Sequence, residues 1–265
     1  MFKICLQTKM SKEKIKFVFL GSSRFSEIVL EELETAGYSP ILKVTNAKDP
    51  LPNIPADFYL VASFGKIIPK EVLDIPKYGS LNVHPSHLPE LRGPSPIQAS
   101  ILGLNEAGVT IIKMDEEMDH GPIVAQEKVE ITPWPDHYAV VEEKLARAGG
   151  KLLVKVLENP IEAVPQDEAK ATYIKLVKKE DGLLNLEDNP ETNLRKILAY
   201  STWPGAYFFF SAKVGGSANP EGGKTYQKRI IVKNAKVEDG KLILTRVIPE
   251  GKKEMDWQDF LRGNS

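Results

Sequence analysis

The sequence predicts an α/β protein: a Rossmann-like, mainly parallel sheet domain followed by a small β-barrel-like (OB-like) C-terminal domain. Three observations carry this. Short apolar runs alternate with segments of helical period through the first part of the chain, the pattern of βαβ units. From Tyr207 the period shifts to short β signals separated by Gly, Asn and Pro. The 265 residues, 42% hydrophobic and 27% charged, suffice for one large or two modest domains with a buried core.

The elements follow in order. Ile15–Leu20 is an apolar run interrupted by one Lys and ended by Gly21, a strand signal. Ser22 and Ser23 can cap the helix that follows, whose Phe25, Ile28, Val29 and Leu33 recur at helical spacing. Ile41–Val44, Phe58–Ser63 (closed by Gly65), Leu81–His84 and Val109–Met114 are further strands. Ser95–Leu102 reads as a helix with Pro96 in its first turn, and His137–Leu157 as a long helix ahead of Asn159-Pro160. Polar Gln166–Ala171 predicts an exposed linker, with a helix over Glu191–Tyr200 inside or beside it. Ala206–Ser211, Arg229–Val232 and Lys241–Val247 are the late strands, Gly215–Gly223 a loop, and Asp239-Gly240 a hairpin turn. The domains expected are therefore 11–165 as the α/β sheet domain, 166–200 as a linker with a helix, and 201–265 as the C-terminal β domain.

Composition excludes several classes. A single cysteine, Cys5, leaves no intrachain disulfide framework and no multi-Cys metal site, and it fits a reducing, cytoplasmic setting. No apolar run approaches the roughly 20 residues of a membrane span, so no membrane partner is expected. Lys3, Lys9, Lys12, Lys14 and Lys16 break every possible signal-peptide core, and Met10-Ser11-Lys12 reads as a second start. Charge is uneven: residues 1–170 hold 19 Lys+Arg against 24 Asp+Glu, net −5, and residues 171–265 hold 16 against 12, net +4. A polyanionic partner for the second part is compatible with this, as is ordinary surface scatter.

The densest chemical signal is the run Gly79 to Gly93. Asn82 and His84 lie two apart on a predicted strand, so both side chains leave one face, at the carboxyl end where α/β sheets bind ligands. Pro85, Pro89, Pro94 and Pro96 stiffen the loop beyond. The second signal is Met114 to Ile123, where Asp119 also follows a predicted strand, which places it too at a carboxyl edge, and Gly121 permits a close turn. Asn, His and Asp together suit acyl transfer: an amide donates to an oxyanion, an imidazole polarises it or moves a proton, and a carboxylate orients the imidazole or takes the proton of an attacking amine. Ser86 lacks the Gly-x-Ser-x-Gly setting, so direct attack by an external amine is more natural than an acyl-enzyme. Other readings stand beside this one. Asn-x-His at a strand end is commonly a hydrogen-bonded core pair, and Asp119 sits in an acidic run that suits a solvated turn. His84 and His87 with Asp119 or His120 could ligate a metal, though Pro85 disfavours a helical His-x-x-His geometry; no metal is expected. Gly21-Ser22-Ser23 could cradle a phosphate, but Gly-x-Gly-x-x-Gly is missing.

At these residues the chain resembles the 10-formyltetrahydrofolate-dependent formyltransferases. Asn82-Val83-His84, then Ser86-His87-Leu88-Pro89-Glu90-Leu91-Arg92-Gly93, then Asp119 at 35 residues beyond His84, are similar to the family's hallmark. His87 stands where Leu is usual. Phe19 to Phe25 resembles the family's opening segment, and Ala62 to Pro69 its pterin-side segment. Thr172-Tyr173, Lys178-Lys179-Glu180, Trp203-Pro204-Gly205-Ala206 and Pro249 to Met255 look like the C-terminal domain of the branch that formylates methionyl-initiator tRNA.

The resemblance implies 10-formyltetrahydrofolate as donor, Asn82, His84 and Asp119 as catalytic residues, and a pterin site near Phe64, Gly65, Lys66, Ile67 and Ile68. Ser86, His87, Leu88, Pro89, Met118 and Gly121 complete that site. It implies initiator methionyl-tRNA as partner, with Lys224, Lys228, Arg229, Lys233, Lys236, Lys252 and Lys253 as candidates for phosphate contacts, and a monomer. One departure is plain: the long basic loop usual after the second strand is reduced to Val44–Asp57 with a single Lys. Catalysis is expected to survive it, and acceptor recognition is where it bears. The alternatives are a formyltransferase for an amino sugar nucleotide or other small amine, a formyltetrahydrofolate hydrolase, and a non-catalytic tRNA- or folate-binding protein.

Overall fold

The computed structural model describes residues 15–159, 161–213 and 225–264. Cys5, Met10-Ser11-Lys12, Pro160, the expected loop Gly215–Gly223 and Lys224 lie outside the described residues. The chain divides into two compact units: the first runs to Ser100 and includes 104–134 and 140–176, and the second comprises 101–103, 135–139 and everything from Val177.

The first unit is built on a six-stranded sheet ordered β2-β1-β3-β4-β5-β6. The strands are β1 (Phe17–Leu20), β2 (Leu42–Val44), β3 (Phe58–Val61), β4 (Ser80–His84), β5 (Ala107–Lys113) and β6 (Ile123–Val129). The first four are parallel, and β5 and β6 are antiparallel to their neighbours. The expected mainly parallel sheet is therefore mixed at one side. β6 carries no clear signal in the sequence because it is an edge strand, half exposed along its length, and its Gln126, Glu127 and Lys128 interrupt any apolar run.

Strand period sets the two faces. Val83 points to the face covered by α4 (Tyr138–Glu158): a Cβ on Gly149 would lie 2.5 Å from Val83 Cγ1, so the helix can sit this close only with glycine there. Helix α1 (Arg24–Thr35) starts in a reciprocal capping box, Ser23 Oγ accepting from Ser26 N and Ser26 Oγ from Ser23 N. On the opposite face Val18, Leu20, Val44, Tyr59 and Val61 pack with Phe64, Ile68 and Leu73 from the segment after β3, which includes the short helix α2 (Lys70–Leu73). Asn82 and His84 share that second face, because Val61 is the register partner of Asn82.

Helix α3 (Pro96–Gly103) opens with Pro at its first position, as its sequence predicts. The second unit carries a four-stranded antiparallel sheet ordered β10-β9-β8-β7. Its strands are β7 (Ala206–Lys213), β8 (Thr225–Glu238), β9 (Lys241–Pro249) and β10 (Met255–Asp256). Asp239 and Gly240 both have positive φ, 50° and 69°, between β8 and β9, as an Asp-Gly hairpin turn requires. Helix α5 (Pro190–Ala199), capped by Asn189, belongs to this unit. Helix α6 (Trp257–Arg262) adds Trp257 and Phe260 to Phe208 and Phe210 in one aromatic cluster. The segment 166–171, expected to be an exposed linker, lies in the first unit, and Gln166 is buried. Residues 167–170 are exposed as that reading expects; Gln166 departs from it because its amide is held by groups of two distant loops.

Candidate active site

Three strands of the first unit end side by side. Leu20, Val61 and Asn82 are register partners across β1, β3 and β4, so the chain leaving β3 starts beside Asn82. Ser63 and Gly65 there adopt left-handed backbone (φ 46° and 71°), held by Ser22, whose Oγ donates to the Phe64 carbonyl at 2.7 Å.

Asp119 arrives differently from the sequence expectation. β5 runs antiparallel to β4, so its end lies beside Leu81 rather than at the carboxyl edge of the parallel strands. The segment 114–122 therefore doubles back. Lys113 N donates to the Pro122 carbonyl at 2.9 Å and Met114 N to the Ser80 carbonyl at 2.8 Å. Gly121 makes the turn possible, since a Cβ there would lie 1.8 Å from the Lys113 carbonyl oxygen. Gly121→Ala is expected to displace the Asp119 loop and cut turnover by about 10²-fold, the scale of a 1 Å misplacement. Steady-state kinetics on the folded variant check this, and unchanged kcat would dismiss the turn's role.

Asn82, His84 and Asp119 meet. Asn82 Nδ2 donates to Asp119 Oδ1 at 3.4 Å, and His84 Nδ1 lies 3.5 Å from the same oxygen. These contacts are looser than ordinary hydrogen bonds. Asp119 Oδ2 accepts from the Gly93 amide at 2.9 Å. His84 Nε2 lies 3.1 Å from the Leu91 carbonyl. A carbonyl only accepts, so that bond puts a hydrogen on Nε2, and for Nδ1 to donate to the carboxylate the ring carries a second one, as the imidazolium does. Burial pushes the Asp119 carboxyl up, but the charge and hydrogen bond of His84, the Gly93 amide and the charge of Arg92 outweigh it and hold the group below the ordinary aspartate value. A carboxylate depressed in this way adds stability above its unfolded pKa, and the gain is lost as pH falls through the folded value. At neutral pH Asp119 is a carboxylate.

Behind this trio lies a polar clasp that the sequence does not advertise. Arg92 is fully buried (0% exposed). Its guanidinium donates to Gln166 Oε1 through Nε and Nη2, to both Glu168 oxygens, and to the Tyr173 hydroxyl. Its backbone bridges to Tyr173, with Arg92 N donating to the Thr172 carbonyl at 2.9 Å.

The other expected site residues are spread around this centre. Phe64 and Ile68 are buried in the apolar face, while Ile67 is 81% exposed and Met118 is exposed. Gly65 and Lys66 are exposed, and Lys66 Nζ donates to the Asp49 carbonyl. Ser86 and Leu88 are buried under their loop: Ser86 Oγ donates to the Glu90 carbonyl, and Leu88 N donates to Thr110 Oγ1. Pro89 is half-buried. The structure does not bring His87 to the trio; it is exposed and packs at Gly108, where a Cβ would lie 3.1 Å from its own. Among the described residues no group of three His, Cys, Asp or Glu side chains is placed to hold a metal ion, and no helix is long and apolar enough to cross a membrane.

Residues 13–157 match a family model described as formyl transferase, and residues 176–265 match one described as formyl transferase, C-terminal domain. A methionyl-tRNA formyltransferase of Dictyoglomus thermophilum is 37% identical over 224 residues, 78% of this chain and 72% of the relative. Among solved structures, a methionyl-tRNA formyltransferase from Clostridium thermocellum is similar with a TM-score of 0.66 at 16% identity, covering 91% of this chain and 99% of that one. HypX from Aquifex aeolicus, in complex with tetrahydrofolic acid, is similar with a TM-score of 0.64 at 18% identity, covering 93% of this chain and 47% of that one.

Proposed function

The chain belongs to the formyl transferase family, and we propose that it transfers the formyl group of 10-formyltetrahydrofolate to the α-amine of methionyl-initiator tRNA. The observation that carries this reading is the convergence of Asn82, His84 and Asp119 on one oxygen, within 3.5 Å. The amine attacks the formyl carbon directly. Asn82 Nδ2 and a proton on His84 Nδ1 donate to the oxyanion of the tetrahedral intermediate. Asp119, ionised, orients His84 and accepts the proton that the amine loses. The bond from the formyl carbon to N10 of the folate then breaks, and that proton is returned to N10. The products are a formamide on the acceptor and tetrahydrofolate. Ser86 is spent on the Glu90 carbonyl, which favours direct transfer over an acyl-enzyme.

The pterin is assigned to the segments Phe64–Ile68 and Met118–Gly121, where turning backbone offers amides and carbonyls and Ile67 and Met118 offer exposed apolar surface. Contacts to the tRNA phosphates are assigned to the second unit. Among the described residues Lys252 and Lys253 are exposed without an ion-pair partner. Lys228, Lys233 and Lys236 already hold Asn264, the Ser201 carbonyl and Glu238, and Arg229 lies over the Tyr207 ring at 4.0 Å. A second reading, an amino sugar nucleotide as acceptor, draws on the short segment between β2 and β3, with Lys48 its one basic residue. A transfer assay offering both acceptors decides. The expected result is formylation of the charged tRNA, with affinity falling about tenfold or more between 50 and 200 mM salt. Preferential use of the sugar with a flat salt response would replace this acceptor with the second.

A further inference from the structure

Gln166 sits in the polar segment whose sequence predicts an exposed linker, yet it is 8% exposed and its amide is fully used. Nε2 donates to the carbonyls of Asp119 at 2.8 Å and Gly121 at 2.7 Å. Oε1 accepts from Arg92 Nε at 3.0 Å and Nη2 at 2.8 Å. One planar group therefore ties the Asp119 loop to the Leu91–Gly93 loop. Those two loops complete the trio, because the Gly93 amide holds Asp119 Oδ2 and the Leu91 carbonyl lies at His84 Nε2.

We propose that Gln166 is a positioning residue for Asp119: by pinning the main chain at Asp119 and Gly121 against Arg92, it sets the approach of the carboxylate to Asn82 and His84. Asp119 has φ 53°, a left-handed conformation that a non-glycine residue keeps only when its surroundings dictate it. The Gln166 amide on its carbonyl and the Gly93 amide on its carboxylate do so from both ends. A slip of about 1 Å here is on the scale that costs about 10²-fold in rate. Gln166 touches none of the reacting atoms, and the inference rests on the site reading given above.

Gln166→Glu tests it. The variant keeps the shape and the acceptor toward Arg92, but sets an oxygen against the two carbonyls. The expected result is a kcat lower by about 10- to 100-fold with the KM for 10-formyltetrahydrofolate little changed. In Gln166→Met, which adds no charge beside Arg92, the acid limb of kcat/KM should also move to higher pH, because Asp119 loses contact with His84 and Gly93, which oppose its burial. A residue that serves stability alone would lower Tm and leave kcat and the acid limb of the folded enzyme untouched, and that outcome overturns the proposal. Gln166→Met, neutral and of similar length, is read the same way and guards against a glutamate variant that fails to fold. Asp119→Asn is assayed alongside. If it is inactive while the Gln166 variants match wild type, only the positioning role fails. If it is fully active, the site reading itself fails.

Discussion

Asn82→Ala is expected to slow formyl transfer by about 10²–10³-fold, and His84→Ala by at least as much, while tetrahydrofolate binding persists. Both residues leave one face of β4, and both lie at the same Asp119 oxygen. In the proposed mechanism each supplies a donor to charge that develops only in the transition state, so removing it raises the barrier without unseating the formyl donor. Donor affinity, read by fluorescence titration, separates this from a loss of binding. Both variants turning over at near wild-type rates would place the chemistry elsewhere.

Arg92→Ala is expected to destabilise the first unit by on the order of 3 kcal/mol, beyond its effect on activity. The side chain is fully buried, and its loss opens a cavity while leaving the buried Gln166 oxygen without a donor. Glu168 is largely exposed and can return to water, so it contributes little to the cost. Chemical denaturation checks this. A loss under about 1 kcal/mol would mean that the clasp is dispensable to the fold.

The sequence makes these residues unequally legible. Asn82 and His84 could be paired from strand period alone, because alternate residues of a strand share a face whatever the strand's neighbours do. Asp119 could be chosen by type, but its route could not. The direction of β5 depends on how it pairs with β4, and pairing is not local. Asp239-Gly240 announces its hairpin because both residues tolerate positive φ. β6 stayed hidden because an edge strand with one open side keeps polar residues. Gln166 was least legible. A glutamine among Asp, Glu and Lys reads as surface, and only partners 45 and 74 residues away in the chain bury it. His87 shows the converse, a residue inside the motif whose side chain is exposed at Gly108.

The central claim is that three side chains act as one unit on one formyl carbon. The direct measurement is the single-turnover rate of formyl transfer for Asn82→Ala, His84→Ala and Asp119→Asn, singly and combined. Residues that act as a unit lose their effect together, so the triple variant is expected to be about as slow as the slowest single. Losses that multiply across the three positions, or an Asp119→Asn enzyme at wild-type rate, would contradict the account.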